Sequence, residues 1–119
     1  RIAVPTDEDT TVAELRREMA AFIRERDWEQ FHDPKNLSMA IATEAAELME
    51  HFRWVKNDPS REWITDPQHK AEAAEELADV LAFALSFANT AGIDITSSLR
   101  AKMTKNAQKY PVQEYRGKY

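Results

Sequence analysis

Apolar residues near the start of the chain recur every three or four positions, which is the period of an amphipathic helix. This stripe comprises Val12, Leu15, Met19, Phe22 and Ile23. It predicts a first helix from about Val12 to Arg26, preceded by an extended lead-in over residues 1–10. Thr10 or Thr11 can cap this helix, and Glu14 stands where a capping box that begins at Thr11 requires an acid.

A second helix is predicted from Pro34 or Lys35 to about Val55, because proline is tolerated in a first helical turn. Residues 27–35 before it should form a loop with a short turn. Residues 57–67 after it contain Asp58-Pro59 and Asp66-Pro67, so they are predicted to be a loop as well.

A third helix should run from about Pro67 to Ala91, with Gly92 as its C-terminal stop. A fourth should open at Thr96 or Ser97 and end near Lys109. The chain is therefore predicted to be an all-α four-helix bundle in one domain over residues 1–119, with a C-terminal arm at 111–119. The third helix is apolar nearly all round, so one copy is not expected to cover it, and association is expected.

Charge and composition narrow the classes of function. The net charge of −5 argues against a nucleic-acid polymer as partner, because such surfaces are normally basic. The longest nearly apolar run is too short to span a bilayer, which argues against a membrane partner. No secretory signal is visible, and there is no cysteine to form disulfides or thiolate metal sites, so a cytoplasmic location is expected.

Two acid-x-x-acid pairs carry the chemistry that the sequence predicts. Glu44 and Glu47 lie on the second helix, and Glu76 and Asp79 lie on the third. Glu44 shares the stripe of Leu37, Ile41, Leu48 and Phe52, and Glu76 shares that of Ala73, Val80, Phe83 and Phe87. An acid on a face that should be buried is costly unless something compensates its charge.

No lysine or arginine lies between Leu37 and Phe52, or between Lys70 and Arg100, so local cations cannot neutralise these acids. The alternative is that each acid pairs with a lysine or arginine, or that the helix phase is off by one residue. A hard divalent cation explains both pairs together, with Mg²⁺ or Mn²⁺ favoured over Zn²⁺. Glu75 is rotated by about 100° from Glu76 and is expected at the surface.

The acid motifs EAAE (44–47) and EELAD (75–79) resemble the signature of the all-α nucleoside triphosphate pyrophosphohydrolases, the MazG-like superfamily. Within it the chain is most similar to the dCTP pyrophosphatase group. That similarity also rests on RDWEQFHDPKNL (26–37), ELMEHFRW (47–54) and KMTKNAQKYPV (102–112).

The resemblance implies Mg²⁺-dependent cleavage of a nucleoside triphosphate between its α and β phosphates, giving a monophosphate and pyrophosphate. It implies Glu44, Glu47, Glu76 and Asp79 as catalytic metal ligands, with Glu44 or Glu47 as the candidate base. It also favours a homotetramer built as a dimer of dimers, with a plain dimer as the alternative.

The resemblance further implies substrate contacts. Trp28 and Trp54 are expected to line the base and sugar pocket, although either could be a core residue. Lys102 and Asn106 are expected to face the triphosphate, with Tyr110 nearby. Residues of this kind four positions apart on a helix more usually belong to a solvated basic face. The tail residues Arg116 and Lys118 are weaker candidates for reaching a neighbouring subunit. Trp63 has no matched role.

Two positions depart from the dCTP pyrophosphatase pattern, because Met19 stands where a histidine is expected and Phe83 where a tyrosine is expected. These changes put cytosine selectivity in doubt, while Phe83 can still pack against a deoxyribose. His32 could meet the nucleotide, but a lone loop histidine is more often structural or solvated. The favoured substrate is dCTP or a modified dCTP. The alternatives are dUTP or broad (d)NTP use, or a non-catalytic helical interaction module.

Overall fold

The computed structural model describes residues 3–118, and these form helices and connecting turns with no strand among them. The helices are α1 (Val12–Glu25), α2 (Pro34–Glu50), α3 (Asn57–Trp63), α4 (Pro67–Ala91), α5 (Ile95–Lys109) and α6 (Val112–Tyr115), with a 3₁₀ turn at Glu29–Phe31. The predicted all-α fold is confirmed. Residues 1 and 2 of the predicted lead-in and residue 119 of the predicted arm lie outside the described range.

Local capping explains most helix boundaries. Thr11 and Glu14 form the predicted capping box of α1, with each side chain accepting from the other residue's backbone N–H. Gly92 ends α4 in the left-handed conformation, with φ of +67°. The predicted start of the fourth helix is corrected, because Asp94 caps α5 through the backbone N–H of Ser97 and the helix begins at Ile95.

Two further predictions were wrong. The second helix ends at Glu50 rather than Val55, because the backbone beyond it tightens into i→i−3 hydrogen bonds, such as the 2.9 Å bond from Phe52 N–H to the Met49 carbonyl. The predicted 57–67 loop contains α3. Pro59 stands at the third position of that helix, where its missing N–H costs no intrahelical hydrogen bond.

Helix α4 is central, with α2 and α1 packed against it. The chain before α2 contacts the end of α4, since the Thr90 hydroxyl donates to the His32 carbonyl at 3.3 Å. The chain after α2 contacts the start of α4, since His51 lies beside Glu72. Helices α2 and α4 are therefore antiparallel, and this arrangement brings their acid pairs together.

Among residues 3–118, the fully buried apolar residues are few, namely Ile23, Leu37, Ala73 and Ala88. Helix α5 packs little against the rest of the chain, because it is bent by 102° from the axis of α4. No single helix in residues 3–118 has the length and apolar character to cross a membrane. Within the same residues, α4 and α5 taken together reach that length and composition, but their axes are bent by 102° from each other.

Candidate metal centre

Three of the four predicted acids converge between α2 and α4. One carboxylate oxygen from each of Glu44, Glu47 and Glu76 lies within 4.8 Å of the other two. Glu44 and Glu47 are one turn apart on α2, and Glu76 reaches them from the antiparallel α4. The fourth acid, Asp79, lies one turn further along α4 with an exposed side chain at the edge of this cluster. Glu75 is exposed, as its position on the helix predicted.

The cluster strongly perturbs Glu44, whose pKa is raised from its ordinary value of 4.5 to about 7. The largest cause is a hydrogen bond with Glu47, which requires that a proton be kept between the two carboxyl groups. Burial adds to the rise in pKa, and so do the negative charges of Glu47, Asp79 and Glu76. In the absence of a cation, the pKa of Glu44 therefore lies close to neutral pH.

The donor set suits a hard cation. The Oε2 atoms of Glu44 and Glu76 are buried and have no hydrogen-bond partner among the protein groups of residues 3–118. Within the same range, no lysine or arginine forms an ion pair with any of the four acids. In proteins, Mg²⁺, Mn²⁺ and Ca²⁺ bind to oxygen ligands at sites with an excess of negative charge. The residues present therefore fit a divalent cation.

His51 is a member of this region that sequence reasoning missed. Its Nε2 lies 3.5 Å from Glu76 Oε1, and its Nδ1 lies 3.9 Å from Glu72 Oε2. The only sequence signal was its position four residues after Glu47, on the same side of α2. Its contact with Glu76 depends on the register between α2 and α4, and no local pattern reports that register.

The aromatic candidates lie at opposite ends of the cluster. Trp28 is 42% exposed and packs edge-on against Phe22 with ring centroids 6.0 Å apart. It precedes His32, whose ring lies 6.2 Å from that of Phe83 in the second half of α4. Trp54 is 86% exposed and follows His51, which contacts the first half of α4 at Glu72.

The helical rise separates Glu72 from Phe83 by about 16 Å along α4. Trp28 and Trp54 of one chain are therefore not brought together around one base.

Trp63, which was expected in a loop without a role, is the last residue of α3 and packs against other aromatic side chains. It stacks on His69 at 3.8 Å between ring centroids and meets Phe52 edge-on at 5.0 Å. Met19 is half-buried on α1.

The candidates on the fourth predicted helix are not brought to the carboxylates within one chain. Lys102, Asn106 and Tyr110 are all exposed on or just after α5. Glu76 lies about 22 Å back along α4 from Ala91, and α5 turns away from that helix by 102°. Arg116 and Lys118 are exposed beyond α6, whose Tyr115 packs edge-on against Tyr110 at 5.1 Å.

The fold and the site define a class: an all-α protein with an acidic cluster, between two antiparallel helices, that fits a divalent cation. The model of the MazG-like family matches residues 39–118, which include all four acids. The chain belongs to the MazG-like family, and the resemblance inferred from its sequence motifs is confirmed.

Comparison with known proteins supports the same family assignment. The chain is 38% identical to dCTP pyrophosphatase 1 of Mus musculus over 109 residues, covering 92% of this chain and 64% of that protein. It is 37% identical to the Homo sapiens dCTP pyrophosphatase 1 over 103 residues, covering 87% and 61%. The chain thus spans less than two thirds of the length of these curated relatives.

A crystal structure of a pyrophosphatase from Archaeoglobus fulgidus DSM 4304 superposes with a TM-score of 0.79 at 35% identity. The match covers 93% of this chain and 99% of that one. The helical arrangement described here is therefore shared over nearly the whole length of a solved relative.

Proposed function

We propose that this protein is a Mg²⁺-dependent nucleoside triphosphate pyrophosphohydrolase that converts a dNTP to its monophosphate and pyrophosphate. The observation that carries the proposal is the three-carboxylate cluster of Glu44, Glu47 and Glu76, with its two buried unpartnered oxygens. The relatives named dCTP pyrophosphatase 1 and the archaeal pyrophosphatase support the same chemistry.

Glu44, Glu47, Glu76 and Asp79 would hold the cation. Bound there, Mg²⁺ would neutralise phosphate charge and lower the pKa of a coordinated water. Within one chain, Trp28 and Phe83 lie on the His32 side of the cluster, and we assign them to the base and the sugar. Phe83 offers an apolar surface, which suits a sugar without a 2′-hydroxyl.

A second copy would complete the site. We propose a homotetramer arranged as a dimer of dimers, with a plain dimer as the alternative. Four apolar side chains along α4 and α5 are at least half exposed, namely Leu77 (50%), Leu81 (53%), Leu99 (58%) and Met103 (59%). Burying them requires another surface. In such an assembly, substrate bound at the carboxylate cluster of one subunit would be contacted by residues of another subunit, namely Trp54, Lys102, Asn106 and Tyr110.

We favour dCTP or a modified dCTP as the substrate, because the relatives share that name and because the chain matches them over most of its length. The alternative is dUTP or broad (d)NTP use. We also propose a cytoplasmic role in removing unwanted nucleotides from the precursor pool, with no nucleic-acid polymer or membrane as partner.

The test is a panel of ribo- and deoxynucleoside triphosphates assayed for pyrophosphate and monophosphate, with Mg²⁺, with Mn²⁺ and with EDTA. We expect pyrophosphate release that requires the cation and is fastest with dCTP or a modified dCTP. Release without base preference would contradict the dCTP assignment only. An absence of release with every nucleotide would contradict the enzyme and favour a non-catalytic interaction module.

A further inference from the structure

The end of α2 carries a histidine that reaches the acidic cluster from its outer side. His51 follows the last residue of α2 and keeps a helical backbone, and its N–H donates to the Leu48 carbonyl at 3.3 Å. It stands four residues after Glu47, so the two side chains lie one turn apart on the same side of the helix. The half-buried ring of His51 therefore extends across the interface towards α4.

The two ring nitrogens of His51 face two different carboxylates of α4. Nε2 lies 3.5 Å from Glu76 Oε1, and Nδ1 lies 3.9 Å from Glu72 Oε2. Glu72 and Glu76 are four residues apart, so both point to the same side of α4. Because the ring is rigid and planar, the outer contact with Glu72 helps to set the direction in which Nε2 points at Glu76.

The two carboxylate oxygens of Glu76 have different surroundings. Oε1 faces His51, whereas Oε2 is buried and has no hydrogen-bond partner among the groups of residues 3–118. Buried polar atoms are nearly always paired, so Oε2 is the oxygen that lacks a ligand. Side chains that ligate a metal through one atom are commonly held through another atom by an outer partner. Glu76 has this arrangement, with His51 as the outer partner.

Glu76 needs such a partner because its position is electrostatically unfavourable. It brings an oxygen within 4.8 Å of oxygens from Glu44 and Glu47, and like charges at this distance repel. Fixing a long glutamate side chain also costs rotamer freedom. Among residues 3–118, His51 is the one basic side chain within 4.0 Å of any of the four acids.

We propose that His51 is a positioning residue of the cation site. Its Nε2 holds Glu76 through Oε1 and so keeps Oε2 turned towards the oxygens of Glu44 and Glu47, where the cation would bind. This inference rests on the proposed function, because that function supplies the cation. Removing the outer partner of a metal ligand typically weakens metal binding by about 10- to 100-fold, and the same is expected for the contact of His51 with Glu76.

Two substitutions separate the two contacts of the ring. The amide nitrogen of a glutamine reaches about as far as Nε2 of a histidine, and that of an asparagine about as far as Nδ1. His51→Gln therefore keeps a donor towards Glu76, whereas His51→Asn keeps one only towards Glu72. The probe is Mn²⁺ alone, titrated into the protein without nucleotide, with free Mn²⁺ measured by electron paramagnetic resonance. We expect His51→Asn to raise the Kd for Mn²⁺ about tenfold, and His51→Gln to bind nearly as tightly as the unmodified protein.

Arg53→Gln is the matched control for charge. Arg53 lies near the same end of α2, and its guanidinium pairs with Glu50 at 3.0 Å rather than with any of the four acids. Its substitution should leave the Kd for Mn²⁺ unchanged. Melting temperatures in EDTA provide the control for stability. Both His51 variants lose the same ring, so their Tm values should agree while their Kd values differ.

Three results would contradict the inference. An unchanged Kd in His51→Asn would mean that Glu76 is held without His51. Equal weakening in both His51 variants would mean that the loss follows the ring and not the contact of Nε2 with Glu76. If the unmodified protein binds no Mn²⁺, the proposed cation site itself fails, and this result is distinct because it is obtained before any variant is compared.

Discussion

Raising the pH of the metal-free protein from about 5 to about 8 should destabilise it through Glu44. The pKa of this carboxyl is raised from 4.5 to about 7 in the fold, first by the hydrogen bond with Glu47 and then by burial and neighbouring negative charge. A carboxyl with a raised folded-state pKa stabilises the fold while it is protonated. That stabilisation is complete below the unfolded-state pKa and is lost as the pH rises through about 7.

The size of the effect follows from the two pKa values. Their difference corresponds to no more than about 3 kcal/mol, and solvent at the edge of the cluster reduces it. For a chain of this length, the loss would lower Tm by up to about 10 °C. Thermal melts followed by circular dichroism in EDTA, across a pH series, would measure it. Excess Mg²⁺ should remove the decline, because the cation binds the deprotonated carboxylates of the folded state.

Glu44→Gln should abolish most of the pH dependence in EDTA, because the amide does not titrate. Glu75→Gln is the matched control, since Glu75 is the exposed neighbour of Glu76, and it should melt like the unmodified protein at each pH. If Glu44→Gln kept the full decline, other titrating groups would be responsible and the reasoning from the cluster would be refuted.

Four more outcomes are expected. Asp79→Asn should lose activity by about 100-fold or more without a lower Tm, and full turnover in the pyrophosphate assay would remove Asp79 from the metal site. Trp54→Ala should raise nucleotide KM about tenfold while leaving the Mg²⁺ dissociation constant unchanged by calorimetry, and an unaltered KM would exclude Trp54 from the base site. Leu81→Glu should shift the assembly towards monomer in light scattering after gel filtration, and an unchanged mass would place the subunit interface elsewhere. Gly92→Ala should cost about 1 kcal/mol in denaturant unfolding, since φ is +67° and nothing lies within 4 Å of an added Cβ; an unchanged midpoint would contradict that backbone origin.

Sequence reasoning succeeded where the signals are local. The caps and spacing of α1 and α4 lie within a few residues of each boundary, so both helices were predicted closely. Helix α3 was missed because Asp58-Pro59 was interpreted as a loop signal. The same dipeptide fits a first helical turn, and sequence alone does not distinguish the two uses.

The four acids show how much of a functional site can be predicted from helical periodicity. The burial phase of Glu44 and the absence of nearby cations predicted a cluster, and the structure brings Glu44, Glu47 and Glu76 together. The contact of His51 with Glu76 depends on how α2 packs against α4. Helix packing is a relation between distant segments, so the pattern of any one helix does not contain it.

The outward turn of α5 links the stability of the fold to protein concentration. Few apolar residues within 3–118 are fully buried, and α5 is bent by 102° from α4, so an isolated chain leaves much apolar surface exposed. If subunit contacts supply the remaining burial, the free energy of unfolding rises with protein concentration. Dilution would then lower Tm and specific activity together, so the protein's abundance in the cell would set both its lifetime and its turnover per chain.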